Sequence, residues 1–247
     1  MSKPGVALVT GSGKKRVGAV VADALARRGF AIAVHYRTSA READETIASL
    51  KSHGVKVRGY QADLGDENAV RSMVKQVITD FGRIDLLVNS AAIWNSKPLE
   101  EVTAQDVREH FEVNALGTFL CSQQVGLAMV EQTEGGLIVN IGDWADARPY
   151  VGYAAYFPSK GAVSSITRCL AVELAYRNPR IRVNAILPGP VLLPPEMTAM
   201  ERREAIASTL LRREGSPDNV AQAVLSFVDN DYVTGVCLPV DGGRTIS

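Results

Sequence analysis

The chain has 247 residues, of which 46% are apolar and 22% are charged, and its 27 basic residues balance its 27 acidic ones. This composition excludes a disordered chain, because enough apolar surface is present to bury a core, and the zero net charge excludes a global positive field for nucleic acid. The cysteines Cys121, Cys169 and Cys237 lie far apart in sequence, which argues against a disulfide framework or a metal site and favours a reducing compartment.

Short apolar runs alternate with longer amphipathic segments along the chain. Strands are predicted at Val6–Val9, Ala31–Tyr36, Val55–Tyr60, Ile84–Val88, Leu137–Ile141, Ile181–Ile186 and Val236–Pro239. Helices are predicted at Val17–Arg28, Arg41–His53, Glu67–Phe81, Ala104–Met129, Tyr153–Tyr176 and Asp218–Val228. Continuous apolar strands separated by helices indicate parallel pairing with both faces of the sheet covered. Residues 1–247 are therefore predicted to form one α/β domain, a doubly wound parallel sheet of about seven strands with helices on both faces.

The apolar run nearest the N-terminus, Val6–Val9, is too short for the core of a signal peptide. No stretch of the chain approaches the roughly 20 apolar residues that a membrane span needs. We therefore expect a cytoplasmic protein whose partners include neither a membrane nor nucleic acid.

A glycine turn, Thr10–Gly18, separates the first predicted strand from the first helix. Glycine lets the backbone approach a pyrophosphate, and the helix N-terminus supplies free N–H groups and the positive end of a dipole. The spacing differs from the plain GxGxxG pattern, but the position after the first strand predicts a dinucleotide site.

The second predicted strand ends in Arg37-Thr38-Ser39, where a chain that prefers NAD usually has an acidic residue for the ribose 2′-hydroxyl. A guanidinium and two hydroxyls can instead hold a 2′-phosphate. Because Arg16 adds positive charge nearby, we expect NADPH as the cofactor.

Tyr156 and Lys160 are four residues apart, so on a helix they share one face. A free tyrosine has a pKa of about 10, and a nearby ammonium group stabilises the phenolate and lowers that pKa. The pair is suited to exchanging a proton with a carbonyl, alcohol or imine during hydride transfer. Pro158 indicates that the helix begins at this point, because an interior proline would break it.

A stretch rich in proline and glycine, Leu187–Pro195, follows the sixth predicted strand. Ligands bind at the carboxyl ends of strands in open α/β sheets, and long loops in compact domains are usually functional or disordered. We therefore predict a substrate loop over about residues 190–212, continuing through Met197 and Met200, with a plain long connection as the alternative.

These motifs occur in the order found in short-chain dehydrogenases/reductases. They are the glycine turn, Asn89-Ser90-Ala91-Ala92 after the fourth strand, Asn114, the Tyr156/Lys160 pair and Leu187-Pro188-Gly189. The chain resembles that family over essentially its full length. The resemblance implies a Rossmann-type fold, a nicotinamide cofactor and self-association, usually as a homotetramer.

The resemblance also implies roles for individual residues. Tyr156 becomes the proton donor, Lys160 lowers its pKa and holds the nicotinamide ribose, Asn114 supports a water in the proton relay, and Asp63 lies by the adenine. The implied cofactor contacts are Gly11, Arg16, Val17, Tyr36, Arg37, Thr38, Ser39, Asp63, Leu64, Asn89, Ser90, Ala91, Tyr156, Lys160, Pro188 and Gly189.

Two departures from the family pattern narrow the resemblance. Asp143 stands thirteen positions before Tyr156, where the family normally has serine, and Arg16 replaces the usual middle glycine of the phosphate loop. Both features resemble the pteridine reductase branch, including the dihydromonapterin reductases, although Ala92 stands where that branch usually has serine. In that branch an aromatic residue at the position of Trp94 stacks on the pterin.

The resemblance leads to three hypotheses. The first is an NADPH-dependent reductase that converts a dihydropterin to a tetrahydropterin, with Trp94, Asp143 and Tyr156 binding substrate and with Asp143, Tyr156, Lys160 and Asn114 as catalytic residues. The second is a short-chain reductase of another carbonyl, such as a 3-oxoacyl thioester, a quinone or a sugar ketone. The third is a non-catalytic NADP-binding sensor, against which the retention of Tyr156 and Lys160 argues.

Overall fold

Seven strands form one parallel sheet in the computed structural model, which describes residues 5–194 and 197–247. The strands are β1 (Val6–Thr10), β2 (Ala31–Tyr36), β3 (Val57–Gln61), β4 (Leu86–Asn89), β5 (Gly136–Ile141), β6 (Ile181–Pro188) and β7 (Cys237–Val240). Their order is β3-β2-β1-β4-β5-β6-β7, so the chain reverses its direction of winding between β1 and β4. Ligands bind at such a reversal, beyond the carboxyl ends of the strands.

Helices cover both faces of this sheet. They are α1 (Val17–Arg27), α2 (Ala40–Lys51), α3 (Glu67–Phe81), α4 (Ala104–His110), α5 (Gly117–Val130), α6 (Tyr156–Arg177), α7 (Ala199–Ala207) and α8 (Pro217–Asp229). Ala7 and Val9 of β1 face the core under α1 and α8, whereas Leu8 faces the core under α3, α5 and α6. Because successive side chains point to opposite faces, a strand buried on both sides is apolar at every position. The predicted fold class is confirmed.

One long predicted helix, Ala104–Met129, is interrupted in the structure. The helical segment is continuous, but residues Phe111–Leu116 form a π-helical turn between α4 and α5, with Asn114 buried inside it. Such turns occur often at functional sites. Periodicity could not reveal this turn, because one widened turn barely changes the spacing of apolar residues.

The helix predicted at Tyr153–Tyr176 begins at Tyr156, three residues later than expected. Pro158 therefore lies in the first turn, where a backbone N–H would have no intrahelical acceptor. This placement confirms the inference that the helix begins near the proline and puts Tyr156 at its first position.

The predicted substrate loop over residues 190–212 contains a helix, which corrects its description as a loop. Helix α7 begins after Thr198, whose hydroxyl accepts the N–H of Glu201 while the Glu201 carboxylate accepts the N–H of Thr198. This Thr-x-x-Glu capping box is a start signal readable in the sequence. Pro195 of the predicted stretch lies outside the described residues.

One helical segment, Ala104–Val130, is long and apolar enough to cross a membrane by length and composition. The expectation that no stretch approaches a membrane span is therefore wrong on those two criteria. However, 56% of that window is buried within the fold, and the core helix of a globular domain passes the same test.

Candidate active site

The sequence-predicted site residues meet at one edge of the sheet. Most follow the carboxyl end of a strand, and the remainder lie in the π-helical turn or in the first turns of α1 and α6. The strand-end groups are Gly11 after β1, Tyr36–Ser39 from the last residue of β2, Asp63 and Leu64 after β3, Asn89–Ala91 from the last residue of β4 and Trp94 beyond it, Asp143 after β5, and Pro188 and Gly189 at the end of β6.

The turn after β1 is packed too closely for any side chain at two positions. Gly11 has φ +65°, and a Cβ added there would lie 2.7 Å from the Ala91 Cα. A Cβ at Gly18 would lie 2.9 Å from the carbonyl oxygen of Gly11. The Thr10 hydroxyl accepts the N–H groups of Ser90 and Ala91 at 3.0 and 3.1 Å, which joins the β1 and β4 turns. Only glycine permits this close approach.

A buried histidine of β2 forms a hydrogen bond with the backbone of the same turn. His35 Nδ1 accepts the N–H of Gly11 at 3.1 Å, and Nε2 donates to the carbonyl oxygen of Ala62 at 3.1 Å. Burial lowers the pKa of His35 to about 4, so the ring is neutral near pH 7. The sequence analysis did not assign this role, although a polar residue within an apolar strand was a signal that could have indicated it.

The N-terminus of α1 faces this turn without a capping side chain from the described residues. Its N-cap, Arg16, has an extended backbone. The side chains of Lys14, Lys15 and Arg16 are exposed. Val17 is the first helical residue. Uncapped N–H groups, a helix dipole and a glycine cradle fit the phosphates of a dinucleotide.

Arg37 and Asp63 lie together beyond the carboxyl ends of β2 and β3. Their side chains are 3.9 Å apart, measured from Nη1 to Oδ2, and both are about half exposed. The Gln61 amide donates to the carbonyl oxygen of Arg37 at 2.9 Å and anchors this loop. The guanidinium is therefore accessible to a ligand, but its contact with a 2′-phosphate stays a prediction.

Asp143 and Tyr156 form the centre of the other half of the site. The Tyr156 hydroxyl donates to Asp143 Oδ2 at 2.8 Å, and the N–H of Ala145 donates to Oδ1 at 2.9 Å. Tyr156 and Lys160 are buried, each 5% exposed, whereas Asp143 is only partly buried. The carboxylate thus occupies the hydrogen-bonding position of the missing serine.

The ionisation of these groups differs from the sequence prediction. Lys160 Nζ donates to the carbonyl oxygen of Ile141 at 2.7 Å, and burial lowers the pKa of Lys160 to about 8. Burial and the neighbouring Asp143 raise the pKa of Tyr156 well above its ordinary value, so the predicted lowering is wrong in this structure. Burial also raises the pKa of Asp143. The phenol therefore keeps its proton near neutral pH, as a proton donor must.

Asn114 fixes the loop that follows β4. Its Oδ1 accepts the N–H of Ile93 at 2.9 Å, and its Nδ2 donates to the Ile93 carbonyl oxygen and to Ser159 Oγ, each at 3.0 Å. The amide thus ties the loop carrying Trp94 to the start of α6. Its predicted support of a water in a proton relay stays a prediction.

Asn89 turns its amide into the core. Nδ2 donates to Ser122 Oγ and Asn140 Oδ1 at 2.9 Å each, while the buried Oδ1 accepts no hydrogen bond from a described residue. Its predicted contact with the cofactor is therefore untested. Gly189 lies close to the residue that follows β7, since a Cβ there would lie 2.5 Å from the Asp241 Cα.

Aromatic rings surround the Asp143–Tyr156 pair. Trp94 stacks on Tyr153 with ring centroids 5.2 Å apart, and Trp144 stacks on Tyr150 at 6.2 Å. Tyr150 and Tyr153 meet edge to face at 5.2 Å, which links the two stacks. We call this set of rings the aromatic arc; its members are Trp94, Trp144, Tyr150, Tyr153, Tyr156 and Phe157.

His110 is a further residue that the sequence analysis missed. Its Nδ1 donates to the carbonyl oxygen of Asp106 at 2.7 Å, and the Asn95 N–H lies 3.5 Å from Nε2. The ring is buried and lies edge-on to Tyr156, 6.2 Å between centroids. It supports both the proton donor and the loop next to Trp94, and no motif indicates it in the sequence.

The chain is similar to known reductases and dehydrogenases over nearly its whole length. A family model described as enoyl-(acyl carrier protein) reductase matches residues 12–245. An uncharacterized oxidoreductase of Methylorubrum extorquens is 37% identical, with 96% of each chain covered. A 3-oxoacyl-(acyl-carrier-protein) reductase of Synechocystis is 34% identical over 98% of this chain and 97% of its own. The crystal structure of an NAD⁺-bound xylitol dehydrogenase superposes with a TM-score of 0.88 at 32% identity, covering 98% of this chain and 100% of that one.

These relatives bear on the three hypotheses unequally. They are oxidoreductases, reductases or dehydrogenases by name, and the match covers nearly the whole length of each. This supports an enzyme over a non-catalytic sensor. The substrates in the names of these relatives are carbonyl or alcohol compounds, so the relatives favour the carbonyl alternative over the pteridine interpretation of the sequence.

Proposed function

This chain belongs to the short-chain dehydrogenase/reductase family, and from that premise we propose that it is an NADPH-dependent reductase of a carbonyl compound. The observation that carries this proposal is the Tyr156 hydroxyl, held 2.8 Å from Asp143 with Lys160 one helical turn away. Proton donation next to a dinucleotide cleft is what carbonyl reduction requires.

The nicotinamide cofactor, when bound, supplies the hydride to the carbonyl carbon. The chain supplies the proton: Tyr156 donates it to the carbonyl oxygen after its hydroxyl rotates away from Asp143. The ammonium of Lys160 then favours the resulting phenolate electrostatically. Asp143, which is partly exposed, takes up a proton from solvent and returns it to that phenolate along the hydrogen bond that joins them.

The choice of NADPH rests on the charge beyond β2. Arg37 is the half-exposed guanidinium at that point, with no acidic residue in Arg37-Thr38-Ser39 to bind a ribose 2′-hydroxyl. The exposed Lys14, Lys15 and Arg16 add positive charge along the same cleft. Guanidinium groups bind phosphates through charge-assisted, often bidentate hydrogen bonds.

A dihydropteridine is the second candidate substrate, and one observation favours it. Asp143 replaces a neutral serine with a carboxylate beside the stacked rings of Trp94 and Tyr153. A carboxylate accepts hydrogen bonds from ring N–H or amino groups, and an indole face stacks on a flat heterocycle.

We also propose that the protein is a cytoplasmic homotetramer. Helices α5 and α6 expose large apolar side chains on their outer faces, including Leu127 at 47%, Val172 at 71% and Tyr176 at 89%. Because α5 and α6 pack against each other, exposed apolar side chains on both helices favour an interface between subunits. Sedimentation equilibrium tests the proposal, and a monomer at micromolar concentration would overturn it.

Oxidation of NADPH by the purified protein tests the enzymatic proposal against acetoacetyl-CoA, diacetyl, dihydrobiopterin and dihydrofolate. We expect turnover of a carbonyl substrate, and Tyr156→Phe should lower kcat on the order of 100-fold or more while the Kd for NADPH stays the same. Turnover of pterins alone would replace the first candidate by the second. Undiminished kcat in Tyr156→Phe would remove Tyr156 as the donor.

A further inference from the structure

A half-buried arginine closes one end of the aromatic arc. Arg244 follows β7 through two glycines with positive φ, Gly242 at +65° and Gly243 at +80°. This turn brings its guanidinium to 4.3 Å from the ring centroid of Trp144, the residue directly after Asp143. The cation therefore lies at the same edge of the sheet as the proton donor.

The guanidinium has no anionic partner in the part of the chain that the structure describes. The two carboxylates that influence it electrostatically, Asp241 and Asp143, are both engaged elsewhere. Asp241 accepts the N–H groups of Gly243 and Thr245 at 2.9 and 2.7 Å, and Asp143 accepts Ala145 and Tyr156. The five N–H donors of Arg244 are thus left for solvent or a ligand.

The position of Arg244 excludes a role toward the cofactor's 2′-phosphate. β7 is the outer strand on one side of the sheet, whereas β2, which Arg37 follows, lies on the other side of β1. Residues beyond β5 and β7 border the half of the cleft where Asp143 and Tyr156 lie. A second guanidinium, Arg148, donates to the carbonyl oxygen of Arg244 at 3.3 Å and also to Ser247, so it is already engaged and leaves Arg244 as the cation facing Trp144.

We propose that Arg244 binds a carboxylate of the substrate, so that the preferred substrate is a flat carbonyl compound carrying an acidic group. That the substrate is a carbonyl compound rests on the proposed function, whereas the anion site rests only on the surroundings of Arg244. A guanidinium matches a carboxylate through two parallel hydrogen bonds. The arc offers ring faces between the acid and the reacting carbon. Burial, which lowers the pKa of Arg244, also weakens competition by water for the charge.

The competing explanation is that Arg244 only covers Trp144 through a cation–π contact, which is common on protein surfaces. The two explanations differ in ligand discrimination. If Arg244 only covers Trp144, the affinities for an acid and for its neutral ester should be the same. If Arg244 forms an anion site, the affinity for the acid should be higher.

The test uses 4-acetylbenzoate and its methyl ester as probes, bound to the complex of the protein with NADP⁺. Quenching of intrinsic tryptophan fluorescence reports binding, since both tryptophans, Trp94 and Trp144, belong to the arc. We expect the wild-type protein to bind the acid roughly tenfold or more tightly than the ester. Arg244→Met should abolish that difference by weakening the acid alone, and Arg244→Lys should retain part of it.

Arg71→Met is the matched control, because Arg71 is an exposed arginine of α3 paired with Glu67; it should keep the wild-type preference. Thermal unfolding of each variant checks folding, and Arg244→Gln gives the same test if Arg244→Met does not fold. Equal affinities for acid and ester in the wild type, absent binding of the acid at millimolar concentration, or equal losses for both probes in Arg244→Met would each overturn the proposal.

The same probes separate this proposal from the proposed function. NADPH oxidation measures reduction of their acetyl groups independently of binding. Preferential binding of the acid without reduction of either probe would support the anion site and count against carbonyl reduction. Reduction of both probes without discrimination would support carbonyl reduction and overturn the role of Arg244.

Discussion

Replacement of Lys160 by methionine should make the protein more stable near pH 7 while removing its activity. Methionine keeps the length and volume of the side chain but removes the ammonium group. In the native state that group is 5% exposed and donates one hydrogen bond, to the carbonyl oxygen of Ile141. The buried charge lowers the free energy of unfolding, because burial lowers the pKa of Lys160 from 10.5 to about 8.

The magnitude follows from proton linkage. A pKa that falls from 10.5 to about 8 on folding corresponds to about 3 kcal/mol of native-state destabilisation, fully present below pH 8. Between pH 8 and 10.5 the unfolded chain binds more protons than the native one, so wild-type stability rises with pH across this window. Loss of the hydrogen bond to Ile141 offsets about 1 to 2 kcal/mol. The net gain in Lys160→Met should be about 1 to 2 kcal/mol at pH 7, and it should reverse to a net loss of about 1 kcal/mol by pH 10.5, where the native lysine is neutral but still makes its hydrogen bond.

Urea unfolding of both proteins from pH 7 to 10.5, at one protein concentration and without cofactor, measures this difference. Subtraction cancels the titration of the other lysines and tyrosines. The activity of Lys160→Met should be lost at every pH. A difference in unfolding free energy that does not change with pH, or a variant less stable than the wild type at pH 7, would refute the reasoning.

Three further substitutions test the site. Asp143→Ser should impair pterin turnover but preserve or raise activity on a simple ketone, because a hydroxyl replaces a carboxylate beside Tyr156; unimpaired pterin reduction would remove the support for a pteridine substrate. Arg37→Ala should weaken NADPH about tenfold or more and NADH little, as titration of both cofactors will measure; equal losses would mean that Arg37 does not contact the 2′-phosphate. Trp94→Ala should raise the KM for a flat substrate several-fold, because the substrate loses an indole face whose stacking contributes about 0.5 to 1.5 kcal/mol beyond buried area. Steady-state kinetics measure this change, and an unchanged KM would assign Trp94 to the core.

The pattern of the sequence predicted the fold because the pattern has a direct physical cause. A parallel strand covered on both faces must be apolar throughout, as Leu86–Asn89 and Gly136–Ile141 are over most of their lengths. The start of α6 was predicted from Pro158 for an equally local reason, the missing N–H donor. Helix α7 was missed although its capping box is local, so that error was one of interpretation.

Most features of the site that the sequence did not reveal depend on contacts between distant residues. His35 and Gly11 are 24 positions apart, and their hydrogen bond exists only because β1 and β2 pair. The π-helical turn around Asn114 is fixed by its pairing with Ile93, 21 positions away. Neither leaves a mark in the spacing of residues.

The sequence by itself determined the alternation of strands and helices, and therefore the edge of the sheet at which Asp143, Tyr156 and Lys160 meet. Tertiary structure alone decided their ionisation. The ammonium of Lys160 lies against the Ile141 carbonyl oxygen, and the Tyr156 hydroxyl is buried against a carboxylate. Burial first and Asp143 second raise the pKa of Tyr156, which a neighbouring ammonium would lower. The physical reason is that periodicity records which side of an element faces the core, whereas a pKa depends on burial and on the atoms within a few ångströms, which folding brings from separate elements.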